Sequence, residues 1–476
     1  MMQYKPFIGG TWYETDRTET IYSPFDRSPV SRVGFASPGD VEKAIQAAIR
    51  GFRITRSMAP YRRAEILETI GKNIRTRSDS FVEMICAEGG KPINLARAEV
   101  KRSAEVFSFA AHACLTLQGE AFLPNTVEDH ASFYGFSQRF PIGPIVCIDT
   151  FNFPLSNLAH KIAPAIAAGV SLVVKPASAT PTTALMLAEA IMESGLPNGA
   201  LNIIPVDRET AEKLVIDERF KLLFFSGSPE AGWKIKEKAG KKRVSLELGG
   251  NTAAIIEPDA NLNVTIEQIA ASAFANAGQT YNSVQRILVH KSIYEEVEQH
   301  LLDITQKKML MGNPADSGVV VGPMINSAAA ERVMGWIEEA TEAGATLLTG
   351  GDRHGNLVQP TLLADTDPGM RVRRGQVFGP VAVLGSYDTF SEAITEVNST
   401  DFGLQAGIFT HDLNLAFRAF SELEVGTVMV NDFPPLRFDH MPYGGIKDSG
   451  CGRQGIRWAM EEMTELKLMV VNLMDG

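Results

Sequence analysis

Four short stretches carry residue types able to act on a bound small molecule. In Leu246-Glu247-Leu248-Gly249-Gly250 an acid sits inside an apolar, strand-like run that ends in two glycines. Burial disfavours the charged form of a carboxyl, so Glu247 is expected to have a raised pKa suited to a general base. The plainer reading is an acid on the solvent side of an alternating strand. In Thr150-Phe151-Asn152-Phe153-Pro154 the Asn152 amide stands where a strand ends, placed either to stabilise a developing oxyanion or to cap the helix that follows. Val173-Val174-Lys175-Pro176 puts Lys175 at another strand end, the side on which open α/β sheets bind ligands. There it either holds a ribose hydroxyl or is a solvated charge. Phe225-Ser226-Gly227-Ser228-Pro229-Glu230-Ala231-Gly232 joins a strand to a helix. Glycines at such a turn let a pyrophosphate approach a helix N-terminus, and an ordinary strand-to-helix turn has the same look.

A sheet that gathers strand ends is needed to bring these stretches together, and the pattern supplies one. Between Pro141 and Glu257 short apolar runs alternate with amphipathic ones: PIGPIVCID then NLAHKIAPAIAAG, SLVVKP then TTALMLAEAIMESG, LNIIPV then ETAEKLVID, KLLFFSGS then EAGWKIKEKAG, ending in VSLELGG and TAAIIEP. That alternation predicts βαβ units and a parallel, doubly wound sheet. A second run follows Gln279, with strands ILVH, TLLTGG, VAVLGS, AGIFT and GTVMV and helices near Tyr294 to Lys307 and Glu331 to Ala343. The first third reads as mainly helical, with periodic apolar residues over Asp40 to Phe52, Arg62 to Ala87 and Val100 to Leu117. Ala121 to Arg139 loses that period and predicts a hairpin extension, and Leu466 to Val471 predicts a late strand.

With 476 residues the chain exceeds one hydrophobic core, so two or three domains are expected. A net charge of −11 without a basic run argues against nucleic acid as the main partner. The longest apolar stretch, Ile162 to Val174, contains Pro164 and Gly169 and fits a buried helix and strand better than a membrane span. The opening MMQYKPFIGGTWYE lacks the design of a signal peptide, and the four cysteines, Cys86, Cys114, Cys147 and Cys451, are scattered without a CxxC pair. A reducing cytoplasm, with no metal site, is the expectation.

In this order and spacing the stretches resemble the aldehyde dehydrogenase superfamily, from FIGGTWYE to PYGGIKDSGCGRQG and the final strand. The Arg437-Phe438-Asp439-His440-Met441-Pro442 run and the following KDSG look most like the branch with lactaldehyde and non-phosphorylating glyceraldehyde-3-phosphate dehydrogenases. The resemblance implies an α/β fold: a Rossmann-like dinucleotide-binding domain (1–120 and 139–248), an α/β catalytic domain (249–447), and a bridging β-hairpin with a C-terminal strand (121–138 and 465–476) that builds homodimers or homotetramers. It implies NAD or NADP as cofactor and a small aldehyde as substrate. Asn152 is then the oxyanion-hole amide and Glu247 the general base. Lys175 faces the adenosine ribose, Gly227, Ser228 and Gly232 surround the pyrophosphate, and Phe378 packs at the nicotinamide end. Arg437 borders the substrate tunnel, and Arg102 lies where relatives contact phosphate, so the pair implies an anionic substrate; two surface arginines are the alternative.

The chain also departs from that pattern. The family's nucleophile is a Cys two residues after a Gly-Gln pair, whereas Ala277-Gly278-Gln279-Thr280-Tyr281-Asn282 places Tyr281 there. A phenol of pKa ~10 is ionised in only about one part in a thousand at neutral pH, against a few per cent for an ordinary thiol. Gln376 replaces the Glu that usually binds the nicotinamide ribose, losing a charge-assisted bond. Val206-Asp207-Arg208 replaces a Gly-x-Gly loop beside the adenine, and Ser178 stands where NAD-preferring members carry Glu, which leaves room for a 2′-phosphate. Three readings follow: a weak oxidoreductase acting on aldehyde hydrate, a non-catalytic dinucleotide-binding homologue, or an enzyme re-purposed to another reaction in the same pocket.

Overall fold

The computed structural model describes residues 1–117, 119–122 and 132–473. Its first sheet has eight strands. Five parallel ones fill the centre in the order Arg243–Glu247, Leu222–Ser226, Ile145–Ile148, Leu172–Lys175 and Leu201–Ile203. Gly450–Cys451 closes one edge antiparallel, and the Phe7–Ile8 and Thr11–Trp12 hairpin closes the other. The chain begins at Ile145–Ile148, moves outward twice, then returns to the other flank with Leu222–Ser226. The strand order therefore reverses between these two neighbours, and a crevice opens beyond their carboxyl ends. Helix Ser156–Ala168 follows the first strand with every residue buried, as a helix apolar on all sides requires, and ends at Gly169 with φ +82°.

The second sheet has seven strands in the order Thr346–Thr349, Thr361–Ala364, Val381–Tyr387, Val284–His290, Thr252–Ile256, Gln405–Phe409 and Thr427–Val430, parallel except for the first. Thr252–Ile256, read in sequence as the end of the first run, pairs here. The Gly249-Gly250 step carries the chain from one sheet to the other, and a Cβ at Gly250 would collide with the Tyr281 carbonyl.

A third, antiparallel sheet joins Ala121–Phe122, Phe133–Pro141 and Thr464–Asn472, with Thr464 opposite Pro141 and Asn472 opposite Phe133. The expected hairpin and late strand take this form; positions 123–131 and 474–476 of the expected segments lie outside the described residues.

Three elements differ from the sequence reading. The expected helix over Arg62 to Ala87 is two, Pro60–Thr76 and Ser78–Gly89, broken at Arg77 (φ −102°, ψ 18°). Thr76-Arg77-Ser78-Asp79-Ser80 has no apolar side chain to hold a straight course, and the second helix turns to bury Phe81, Val82 and Ile85. The first 35 residues form five short strands before any helix, including Arg17–Tyr22 paired with Pro29–Phe35. Thr361–Ala364, a four-residue strand, was missed. No helix among the described residues is long and apolar enough to cross a membrane.

Candidate active site

The crevice at the strand reversal is a cleft of about 540 Å³, lined by Thr150, Phe151, Lys175, Ser178, Arg208 and Gly227 among others. Lys175 Nζ lies 3.4 Å from Ser178 Oγ. Burial pushes the Lys175 amine down, against the pull of Asp149 and Asp207. Gly227 lines the cleft, and a Cβ there would strike the Phe225 ring at 2.5 Å. Ser228 and Gly232, placed by the sequence around the same ligand, do not line it. Ser228 Oγ accepts from Ala231 N at 3.3 Å and caps helix Pro229–Lys238, while Gly232 is buried where any Cβ would collide with Leu248. Both residues seat the helix whose flank, Ala231 and Ile235, forms the cleft wall.

A second cavity of about 300 Å³ lies between the sheets, lined by Lys91, Glu99, Arg102, Phe153, Tyr281 and Arg437 among others. The tip of strand Ile145–Ile148 divides the two spaces: Phe151 faces the cleft, Phe153 the tunnel, and Asn152 is buried between them. Asn152 Nδ2 donates to the Gln279 carbonyl at 3.0 Å, and its Oδ1 is buried without a partner. An amide nitrogen carries two protons, so one remains for a ligand oxygen. Helix Ile93–Thr116 delivers Glu99, which accepts from Leu155 N (3.0 Å) and Ser156 N (3.1 Å) and so caps the buried helix. Its other oxygen takes Lys91, whose ammonium stands 3.8 Å over the Phe153 ring.

Tyr281 is presented by a loop under strain. Asn276, Ala277 and Gly278 are left-handed in succession (φ 54°, 55° and 63°), a costly geometry for the two non-glycine residues. Anchors on both sides hold it: Gln279 Nε2 donates to Pro323 O (3.1 Å) while its Oε1 accepts from Ile325 N (2.9 Å), and Asn282 Nδ2 donates to Pro435 O (3.1 Å). The Tyr281 ring lies 6.0 Å from Phe153 and 6.2 Å from Tyr443.

Glu247 ends strand Arg243–Glu247 and accepts from Ser226 Oγ at 2.9 Å, with Lys161 Nζ at 3.2 Å. Arg437 Nη1 is 3.9 Å from its other oxygen. Burial pushes this carboxyl up, but Lys161 and Arg437 together hold it below the usual glutamate range. The raised pKa expected from burial alone is thus overturned by two cations the sequence placed elsewhere. Lys161 is also 3.3 Å from both Asp149 oxygens and donates to Ser226 Oγ at 2.8 Å. Sequence reasoning missed Lys161 and Asp149; a lysine inside the apolar NLAHKIAPAIAAG helix was the available signal.

Arg102 and Arg437 do converge, on a third residue. Arg102 grips Asp439 with Nε (3.0 Å to Oδ2) and Nη2 (2.5 Å to Oδ1), and His160 Nε2 approaches the same Oδ1 at 2.7 Å. Arg437 Nε lies 3.7 Å from Asp439 and is buried without a hydrogen-bond partner; its Nη2 donates to Gln454 at 2.8 Å and its guanidinium stacks 4.3 Å over Tyr443. Despite burial, His160 and Arg102 hold the Asp439 carboxyl far below its ordinary value.

A family profile described as "Aldehyde dehydrogenase family" matches residues 12–469. The chain belongs to the aldehyde dehydrogenase family. It is 40% identical over 472 residues to a 3-sulfolactaldehyde dehydrogenase of Priestia aryabhattai, covering 99% of this chain and 98% of that one. Among solved structures it is similar to aldehyde dehydrogenase 21 of Physcomitrella patens, in complex with the reaction product succinate (TM-score 0.97, 39% identity, 99% of both chains). It is similar too to the NADP-dependent glyceraldehyde-3-phosphate dehydrogenase of Bacillus halodurans in complex with NADP (TM-score 0.95, 32% identity, 99% of both chains).

Two further features of this aldehyde dehydrogenase family site bear on its chemistry. Gln376 packs against Gly249, and its Nε2 is buried without a partner. Phe378, at φ +47°, meets Phe151 edge to face at 6.0 Å. The cysteines all lie outside the tunnel lining. Burial pushes the Cys86 thiol up to about 11 and raises Cys114 and Cys147 as well, and Cys451 Sγ is 3.5 Å from the Val244 carbonyl.

Proposed function

We propose that this chain binds a nicotinamide dinucleotide, NAD or NADP, in the cleft and a small anionic aldehyde, or the acid derived from it, in the tunnel, and that Tyr281 at the nucleophile position closes the thiohemiacetal route. One observation carries the reading: the Tyr281 phenol lines the tunnel, and none of the four cysteines does.

The cleft's size and donors fit a dinucleotide. Lys175 would hold the adenosine ribose, Gly227 would let the pyrophosphate approach, and the orphaned Gln376 amide and Phe378 would meet the nicotinamide half. The nicotinamide, when bound, supplies a hydride acceptor. The free Asn152 amide proton is placed to polarise a carbonyl oxygen. Glu247, held as a carboxylate by Lys161 and Arg437, accepts a proton only weakly. Oxidation through the aldehyde hydrate, with Glu247 taking the hydroxyl proton, is the residual route and is slow. The tunnel's three cations, Lys91, Arg102 and Arg437, stand among three carboxylates, Glu99, Asp439 and Glu247, and the Arg437 Nε, without a hydrogen-bond partner, supports room for a ligand anion beside them. The anionic groups in the relatives' names, 3-sulfolactaldehyde and glyceraldehyde-3-phosphate, and the succinate bound to the Physcomitrella patens relative support the same choice.

The deciding assay is NAD(P)H formation with 3-sulfolactaldehyde, succinic semialdehyde and glyceraldehyde-3-phosphate, wild type against Tyr281→Cys. Wild type should stay near background, and Tyr281→Cys should gain on the order of a hundredfold or more. Brisk wild-type turnover that Tyr281→Cys leaves unchanged refutes the closed route; brisk turnover lost in Glu247→Gln assigns oxidation to the hydrate.

A further inference from the structure

The protein's own charges around the tunnel balance. Lys91, Arg102, Arg437 and, behind the wall, Lys161 pair among themselves with Glu99, Asp439, Glu247 and Asp149. An anion brought in adds a charge with no counter-ion of its own, and a buried charge is costly unless paired. A seat for one compensating proton is already built. His160, on the buried helix Ser156–Ala168, has Nε2 2.7 Å from Asp439 Oδ1 and Nδ1 2.7 Å from the Ser156 carbonyl. A carboxylate and a carbonyl only accept, so an imidazolium, with two N–H groups, is the one form that satisfies both. Yet burial, with Arg437 and Arg102 nearby, holds this imidazole down to about 4 against the pull of Asp439. At neutral pH it therefore carries one proton, on Nε2 toward Asp439. Nδ1 then takes the Ser156 hydroxyl at 3.4 Å and lies bare against the carbonyl. Other charged groups packed on this helix are engaged. Glu99 caps its N-terminus, Arg63 donates to the Ala167 carbonyl at 2.6 Å, and Arg457 pairs with Glu461 at 3.0 Å.

We propose that an anion seated beside Arg102 and Arg437 is taken up together with a proton from solvent, which goes to His160 Nδ1 and donates to the Ser156 carbonyl. The inference rests on the anionic-ligand reading above and adds how the ligand's charge is compensated. The ligand's negative charge offsets the two guanidinium groups that disfavour the imidazolium, and Asp439 and the Ser156 carbonyl then hold both N–H groups. Ser156 itself lines the tunnel, so the proton's seat stands directly behind the wall that the ligand touches. Binding thus raises the pKa of the imidazole. By linkage, affinity for the anion rises as pH falls from 7 toward 5.

The test titrates ethanesulfonate calorimetrically into the full chain. Its parent acid is strong, so the anion takes up no proton itself. In two cationic buffers of different ionisation enthalpy at pH 6, the heats should differ by the uptake of about half a proton, and affinity should rise about tenfold from pH 7 to 5. His160→Gln keeps an amide donor for Asp439 but cannot gain charge. It should bind without proton uptake, at an affinity that stays level over that range. NMR of wild-type protein labelled at its histidine nitrogens should show His160 gaining its second proton as ethanesulfonate is added, a readout that needs no variant to fold. Binding without proton uptake overturns the inference and leaves the anionic reading standing. Uptake that survives in His160→Gln, or that leaves the His160 resonances unmoved, belongs to another group and overturns the role of His160. Failure of ethanesulfonate to bind anywhere from pH 5 to 8 removes the anionic reading and this inference with it.

Discussion

Asp439 draws Arg102, Arg437 and His160 onto one carboxylate that is 7% exposed. Breaking such a buried group on one side leaves cations uncompensated, so Asp439→Asn should cost about 3 kcal/mol at neutral pH, read by urea unfolding. Asp439 and Glu247 share a sign. Both carboxyls are held below their ordinary values of 3.8 and 4.5. Their contribution to stability is therefore complete above those values and is lost as pH falls below about 4, where the unfolded chain takes up protons first. Burial holds His160 beside Asp439 down to about 4, so its share of stability falls from about pH 6.5 downward, and in unfolding curves the carboxyls add a steep drop below 4, less steep in Asp439→Asn. Such a residue was hidden from a linear reading: Arg102 and Asp439 are 337 positions apart. Glu247, Asn152 and Lys175 were legible because each ends or interrupts a short apolar strand, a local signal. The charge state of Glu247 was not, because Lys161 and Arg437 reach it only in three dimensions.

Helix Pro229–Lys238 shows what an element contributes beyond the side chains it displays. Gly232 is the contact point at which this helix settles on Leu248, next to Glu247. Gly232→Ala should push the helix off the sheet, lower stability by about 1–3 kcal/mol, and weaken dinucleotide binding; differential scanning calorimetry with and without ligand reads both. An unchanged melting temperature would mean that the helix yields freely. The alternation of strands and helices made both large sheets legible, since periods of two and 3.6 are written locally. The break at Arg77 and the four-residue strand Thr361–Ala364 were not, because one depends on where the second helix finds a place to bury Phe81 and the other is too short to show a period. Assigning Thr252–Ile256 to the first sheet failed for a related reason: strand pairing is decided by neighbours distant in sequence.

At the scale of the molecule, strand Thr464–Asn472 is an outer strand of its sheet, with Leu466, Leu468, Met469 and Val470 each more than half exposed in the single chain. An apolar edge of this length is a liability unless covered, and we propose a second copy of the chain as the cover. Light scattering should show a homodimer or homotetramer, and Leu468→Asp with Val470→Lys should shift it toward monomer; a monomeric wild type at micromolar concentration removes the proposal. The division of the interior at Asn152 has a kinetic consequence. The cleft and the tunnel have no lining residue in common, and the expected outcome is that a ligand in one leaves the other open. Arrival and departure then follow no compulsory order. A dinucleotide and a small acid should form a long-lived ternary complex from either side, each altering the other's affinity only through the shared partition at Asn152 and, by thermodynamic reciprocity, by the same factor.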